Sequence, residues 1–282
     1  MTMQAETING DASKHQLEFD LPPFPTTASK LVSELNSPEA DVPTVVQLIE
    51  CEPKVASKVI QLANSPMYGA SRPITTIGHG IVLLGFRSVS QLALSLVAGD
   101  LFDHPDERCR ERLKRTYAKS LAVAIVSRLA AQQLPGANPD EAFLCGVMHD
   151  IGKIVFCTSG NDEYLEQCEQ LTETQLLRQE EIVFNATHTD IGAQCGRAWG
   201  LPQPITTAIS DHHTEFESAE DPLTKSIVAG NYFAEKWGLA GEPNESFETS
   251  ESIENELPSF LEPEFIESCQ EQYSEIAKIC LG

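Results

Sequence analysis

The stretch 141-EAFLCGVMHDIGKIVF-156 decides how this 282-residue chain is read. Just before it, Asn138-Pro139 is a helix start: the Asn side chain can accept from a free N–H, and Pro lacks the N–H that a first turn leaves unpaired. Phe143, Leu144 and Val147 follow at helical spacing. The stripe runs into His149-Asp150 and is expected to break at Gly152. An imidazole and a carboxylate thus end an apolar helix, where polar groups are costly unless partnered.

Working outward, helical periodicity recurs on both sides. Upstream, a long pattern over 106–134 places Leu113, Tyr117, Leu121, Ala124, Ile125 and Leu129 on one side and closes at Pro135-Gly136. Before it lie an extended lead-in at Leu21–Pro25 and a helix through Ala28, Leu31, Val32 and Leu35 that stops at Asn36-Ser37-Pro38. Asp41 is expected to cap a second helix with Val42, Val45, Val46 and Ile49 on its apolar face. A third carries Val55, Val59, Leu62 and Ala63 and ends in the turn 64–69, expected to pack Met67 and Tyr68 against this first half. Helices over 79–84 and 88–101 flank Gly85, and Arg87 is a candidate for an ion pair between the two halves. Downstream, helices are expected over 163–171, 174–199, 204–212 and 222–237, with Trp199 read as a core aromatic closing one of them. Strand alternation bounded by hairpin turns is missing, so the fold class is all-α.

The composition narrows the partners. Acidic residues outnumber basic ones by 42 to 19, for a net charge of −23. Duplex nucleic acid and anionic membranes both need a basic surface, so neither is expected, although a net charge says nothing about one local pocket. From Gly241 to Gly282 there are 11 Glu and one Lys, Lys278, which reads as a solubilising, partly flexible tail. Within it Phe265, Cys269, Tyr273, Ile276 and Cys280 suggest one last docking helix. The first 18 residues are polar and expected to be disordered. They lack a basic segment followed by an apolar run, and the apolar stretch 92-LALSLVAG-99 is too short to span a bilayer. The eight Cys contain no Cys-x-x-Cys pair and read as reduced thiols. The expected compartment is the cytoplasm.

Among seven His, four stand near acids or one another: His149 beside Asp150, His188, and His212-His213. Imidazole and carboxylate suit zinc, manganese or iron. The runs 141–156, 188-HTDIGAQCGRAWGLP-202 and 208-AISDHH-213 resemble the HD superfamily of metal-dependent phosphohydrolases. The preceding segments 21-LPPFPTTASKLVSELNSP-38, 60-IQLANSPMYG-69 and 81-IVLLGFRSVSQLAL-94 are similar to the HD-related output domain, the HDOD family. The resemblance covers about Leu21 to Trp237. It implies a two-lobed helical fold, with a first lobe over 19–103, an HD-like lobe over 104–237, and an acidic linker and helix over 238–282. It also implies a bacterial signalling role, with input arriving by contact or by ligand.

Catalytic HD enzymes hold one metal through a first His, the His-Asp pair and a final Asp. By that resemblance the first-His position, in 115-RTYAKSLAVA-124, is Lys119, and the final-Asp position, in 226-SIVAGNYFA-234, is Asn231. A protonated lysine has no lone pair for a metal, so Lys119 is expected to place its ammonium on Asp150 in the ion's stead. Asp150, His188, His212 and His213 remain, enough for a single divalent ion. The same residues could instead form a buried polar network with no metal. Lys153 could contact a phosphate or be an ordinary solvated lysine. The leading functional expectation is a non-catalytic signalling module acting through a protein partner or small ligand. The alternatives are a metal-dependent phosphohydrolase for a nucleotide or cyclic dinucleotide, served by Asp150 and Lys153, and cyclic-nucleotide binding without turnover.

Overall fold

Short acceptor side chains start the helices. In the computed structural model Asp41, Asp106, Asn138 and Asp221 each accept from a backbone N–H in the first turn of the helix they precede. The structure describes residues 20–240 and 250–281, except positions 36, 38, 39, 70 and 168–170. The expected disordered segment 1–18 lies outside the described residues.

Among the described residues fifteen α-helices form and no strand. The first half comprises α1 (Thr26–Leu35), α2 (Val42–Glu50), α3 (Pro53–Ala63), α4 (Ile77–Leu84) and α5 (Phe86–Gly99). At its centre the second half has α6 (Glu107–Gln133), packed against α7 (Pro139–Met148) and α13 (Pro222–Lys236). Between these come α8 (Gly152–Thr158), α9 (Asp162–Gln167), α10 (Glu173–Phe184), α11 (His188–Ala198) and α12 (Gln203–Ser210). The chain continues through α14 (Glu251–Glu256) to α15 (Pro263–Leu281). At 27 residues α6 is about 40 Å long, and its buried face, from Leu113 through Leu121 to Ala131, is the spine of the second half. One connected apolar core runs from Ala28 to Ile279. Arg87 on α5 forms the expected ion pair across the halves, with Asp140 on α7.

Several expectations need correction. The predicted helix 174–199 is two helices. Asn185 adopts the left-handed conformation at φ 52°, which Asn tolerates better than most residues, and ends α10. Thr187 and Asp190 then form a capping box that restarts the chain at His188. The helix expected to run to Gly152 ends earlier, at Met148, and Gly152 instead opens the next helix, α8. The acidic C-terminal part is no free tail over its described residues, because α15 docks on α3, α5 and α6 with Cys269 and Ile279 buried. Trp199 is half-buried rather than a core residue. Its ring stacks on Phe24 at 4.6 Å and its Nε1 donates to Pro22 O, pinning the extended lead-in to the second half. Tyr68 is half-buried against the core, whereas Met67 is exposed.

No single helix among the described residues is long and apolar enough to cross a membrane. None of the described cysteines forms a disulfide, and Cys109, Cys145, Cys157, Cys195 and Cys269 are buried.

Candidate metal centre

Two close helix crossings assemble the polar cluster. A Cβ on Gly152 would lie 2.0 Å from His188 O and 2.8 Å from Gly192 N. Only glycine therefore lets the start of α8 approach the start of α11 this closely. The approach brings Asp150, just before α8, against His188 at the first position of α11. His212 and His213 follow α12, which packs on α11.

His149, Asp150, His188 and His212 are all buried, and His213 is partly exposed. Asp150 Oδ1 lies 3.4 Å from His188 Nε2 and 3.7 Å from His212 Nε2. Its Oδ2 faces His149 Nε2 at 3.4 Å. His188 Nε2 and His213 Nε2 are 3.2 Å apart. Asp150, His188, His212 and His213 can offer ligand atoms that all lie within 4.8 Å of one another.

The rings are held from behind. His149 Nδ1 is 2.8 Å from Gly146 O, and His212 Nδ1 is 2.7 Å from Ile209 O. His188 Nδ1 lies 2.7 Å from Glu180 Oε2, which also accepts from the His188 backbone N–H at 2.8 Å. Tyr164 OH donates to the other Glu180 oxygen at 2.7 Å. With Nδ1 donating, each Nε2 of a neutral ring turns its lone pair inward, the usual arrangement of a metal-ligating imidazole. Burial depresses the His212 pKa to about 4, and burial likewise lowers that of His213, so both rings are neutral at pH 7.

This leaves acceptors facing acceptors. His149 Nε2, Asp150 Oδ1 and His212 Nε2 are buried without a hydrogen-bond partner. A buried unpaired polar atom costs about 1–3 kcal/mol, so three together are expensive for a network that serves packing alone. A divalent cation among Asp150, His188, His212 and His213 would meet inward-facing lone pairs. The donor set fits such an ion.

Cations are arranged differently from the sequence expectation. Lys153, read as a surface lysine or phosphate contact, is 2% exposed, with Nζ 3.0 Å from Asp150 Oδ2 and 3.1 Å from both Glu173 oxygens. Lys119, expected on Asp150, instead donates to Glu173 Oε1 at 2.6 Å. Lys153 is three residues beyond Asp150 and follows it around the α8 turn, whereas Lys119 on α6 reaches only the next carboxylate out. Burial opposes charge on both Asp150 and Lys153. The neighbouring cationic and imidazole groups nonetheless hold Asp150 well below the ordinary carboxylate range, while Asp150 and Glu173 hold Lys153 above the ordinary lysine range. Asn231 donates to Ile227 O within its own helix at 3.4 Å, and its Oδ1 is buried without a partner. Glu173 and Glu180 escaped the sequence reading. Glu180 falls eight residues before His188 across the Asn185 break, so no single-helix periodicity links them.

The sequence profile of the HDOD domain matches residues 21–215. The chain belongs to the HDOD family. As an HDOD protein it is similar to a crystal structure of an HDOD domain protein of unknown function from Geobacter sulfurreducens, at TM-score 0.73 and 21% identity over 92% of this chain and 93% of that one. It also resembles a candidate metal-dependent phosphohydrolase from Shewanella amazonensis SB2B, at TM-score 0.61 and 18% identity over 93% of both chains. A candidate signal transduction protein from Marinobacter aquaeolei VT8 matches at TM-score 0.64 and 23% identity, over 92% of this chain and 57% of that one. At these identities the likeness is one of fold. Among curated relatives, an uncharacterized protein of Treponema pallidum is 23% identical over 237 residues, 81% of this chain and 45% of that protein. Ribonuclease Y of Thermotoga petrophila is 32% identical over 109 residues, 39% of this chain and 16% of that enzyme. This HDOD chain spans less than half the length of these curated relatives.

Proposed function

We propose that this chain is a cytoplasmic signal-transduction output module, non-catalytic in its main role, whose Asp150, His188, His212 and His213 hold one divalent ion such as zinc, manganese or iron. The observation that carries this reading is the Lys153 ammonium on Asp150 Oδ2. A carboxylate that bridges two metals needs both oxygens. Here one is committed to a buried lysine, and Oδ1 alone faces His188 and His212. Lys119 and Asn231, at the positions where the resemblance expects a first His and a final Asp, offer no anionic or imidazole ligand. When bound, such an ion would supply a Lewis acid able to polarise an oxygen or acidify a water. The protein's residues would hold it, orient the rings and keep Asp150 charged. The output would pass to a signalling protein partner, since a net charge of −23 disfavours duplex nucleic acid and anionic membranes.

The second reading is a metal-dependent phosphohydrolase for a nucleotide or cyclic dinucleotide, favoured by the same donor set and by the partial exposure of His213. Cyclic-nucleotide binding without turnover lies between the two. Metal analysis of purified protein beside a phosphodiesterase assay with added manganese separates them. We expect about one ion per chain, lost in Asp150→Ala, and no turnover. Turnover that disappears in Asp150→Ala would establish the enzyme instead.

A further inference from the structure

Helix α15 covers positive charge that it does not neutralise. Four glutamates make it acidic, yet Glu264, Glu267 and Glu271 face solvent and Glu275 pairs with Lys278 of the same helix. Beneath it Arg128 of α6 is largely buried among neutral partners. It donates to Gln91 Oε1 at 2.8 Å and to Gln272 Oε1 at 3.3 Å, and it lies over the Phe143 ring at 5.9 Å. Its Nε is buried without a hydrogen-bond partner, and burial works against its charge. Near the other end of α15, burial raises the Cys280 thiol pKa, and Lys58 and Lys54 of α3 stand close enough to oppose that rise. Lys54 pairs with Asp100, whereas among the described residues no carboxylate pairs with Lys58 or Arg128. The seat is also loosely closed. Of 19 residues in α15 only Cys269 and Ile279 are buried, and an open cleft lined by exposed Met67, Glu267, Glu271 and Lys278 runs beside it.

We propose that the groove of α3, α5 and α6 under α15 is the docking surface for the signalling partner, which enters as an amphipathic helix with a carboxylate in the place of Gln272, and that α15 is the chain's own placeholder. The proposal rests on the signalling reading above and names where its partner binds. A carboxylate facing a guanidinium makes charge-assisted, paired hydrogen bonds about twice as strong as those of a neutral amide. The desolvation of Arg128 is already incurred in the resting chain, so an arriving carboxylate gains the pairing without adding that cost. Helix α15 has the compensating advantage of its tether, an effective concentration on the order of millimolar. That advantage sets a threshold, and a helix supplying the missing negative charge crosses it.

The test is fluorescence anisotropy with labelled peptides spanning Pro263–Leu281, one native and one carrying Gln272→Glu, titrated with the whole chain under reducing conditions. The Ile279→Ser chain, whose own α15 is loosened, should bind the Gln272→Glu peptide about tenfold more tightly than the wild-type chain does. It should also prefer that peptide over the native one by about tenfold, a preference erased by Arg128→Met. Because Arg128→Met also removes the bond to Gln91, a second variant checks the same charge in place. Gln272→Glu within the whole chain should raise the melting temperature by about 3 °C and exclude the peptide further. No saturable binding to folded Ile279→Ser, equal binding of the two peptides, or an unchanged melting temperature in Gln272→Glu overturns the proposal. A concentration-dependent dimer that the peptide dissolves would assign the groove to a second copy of this chain and overturn it as well. Turnover of a phosphodiester would instead defeat the non-catalytic reading while leaving the docking result intact.

Discussion

Because a backbone carbonyl can only accept, the Nδ1 atoms of His149 and His212 must carry hydrogen where they meet Gly146 O and Ile209 O. Glu180 imposes the same tautomer on a neutral His188. This orientation is a property of single residues, and it can be tested singly. Glu180→Gln should weaken metal binding about 10–100-fold, measured by competition with a chromophoric chelator. Unchanged affinity would mean that the ring needs no support from Glu180. His212 also sets a pH dependence. Its folded pKa is depressed from 6.5 to about 4, so below 6.5 the unfolded chain takes up the proton first. The stability contribution is whole above that value and is lost as pH falls toward 4, by up to about 3 kcal/mol. Urea midpoints of metal-free protein should therefore fall between neutral and mildly acid pH, and a flat profile would contradict the buried neutral ring. Protonation of the same rings would release the ion over the same range.

Helices α8 and α11 can cross closely because Gly152 meets His188 and Gly192 without a Cβ. The obstacle to any side chain there is backbone, which cannot rotate aside. Gly152→Ala should destabilise the fold by about 3 kcal/mol or more and lower metal content with it, read by thermal melting and metal analysis. A variant with wild-type melting temperature would show that the crossing has room to relax. The α10–α11 break is a second element-scale device. Asn185→Val forces a β-branched residue into the left-handed region and should cost about 1–2 kcal/mol in chemical denaturation. By contrast, Asn185→Gly should be tolerated.

At the scale of the whole molecule, polar side chains link the halves to the C-terminal helix. Asp140 on α7 pairs with Arg87 and accepts from Gln91 at 2.9 Å, both on α5. Gln91 in turn accepts from Arg128 on α6 at 2.8 Å, and Arg128 reaches Gln272 on α15 at 3.3 Å. Helix α15 thus touches both halves through α3, α5 and α6. Truncation before Pro263 should lower the melting temperature by about 10 °C, because it uncovers the surfaces that Phe265, Cys269, Tyr273, Ile276 and Ile279 now shield. An unchanged melting temperature would mean that α15 contributes no stability.

The all-helical class, most helix starts, the last docking helix and the Asp-His₃ set were legible in the sequence, because periodicity, capping residues and ligand chemistry are local properties. The left-handed Asn185 could have been suspected from the Asn-x-Thr-x-x-Asp run, but the long apolar pattern around it masked the break. Which cation neutralises Asp150 was not legible. Lys119 and Lys153 are both plausible by residue type, and the choice between them depends on how α6, α8 and α10 are placed relative to one another. Glu180 and Glu173 became part of the site for the same reason. The sequence supplied the ligands, and the tertiary structure decided that Lys153 holds one oxygen of Asp150 while the other faces the histidines.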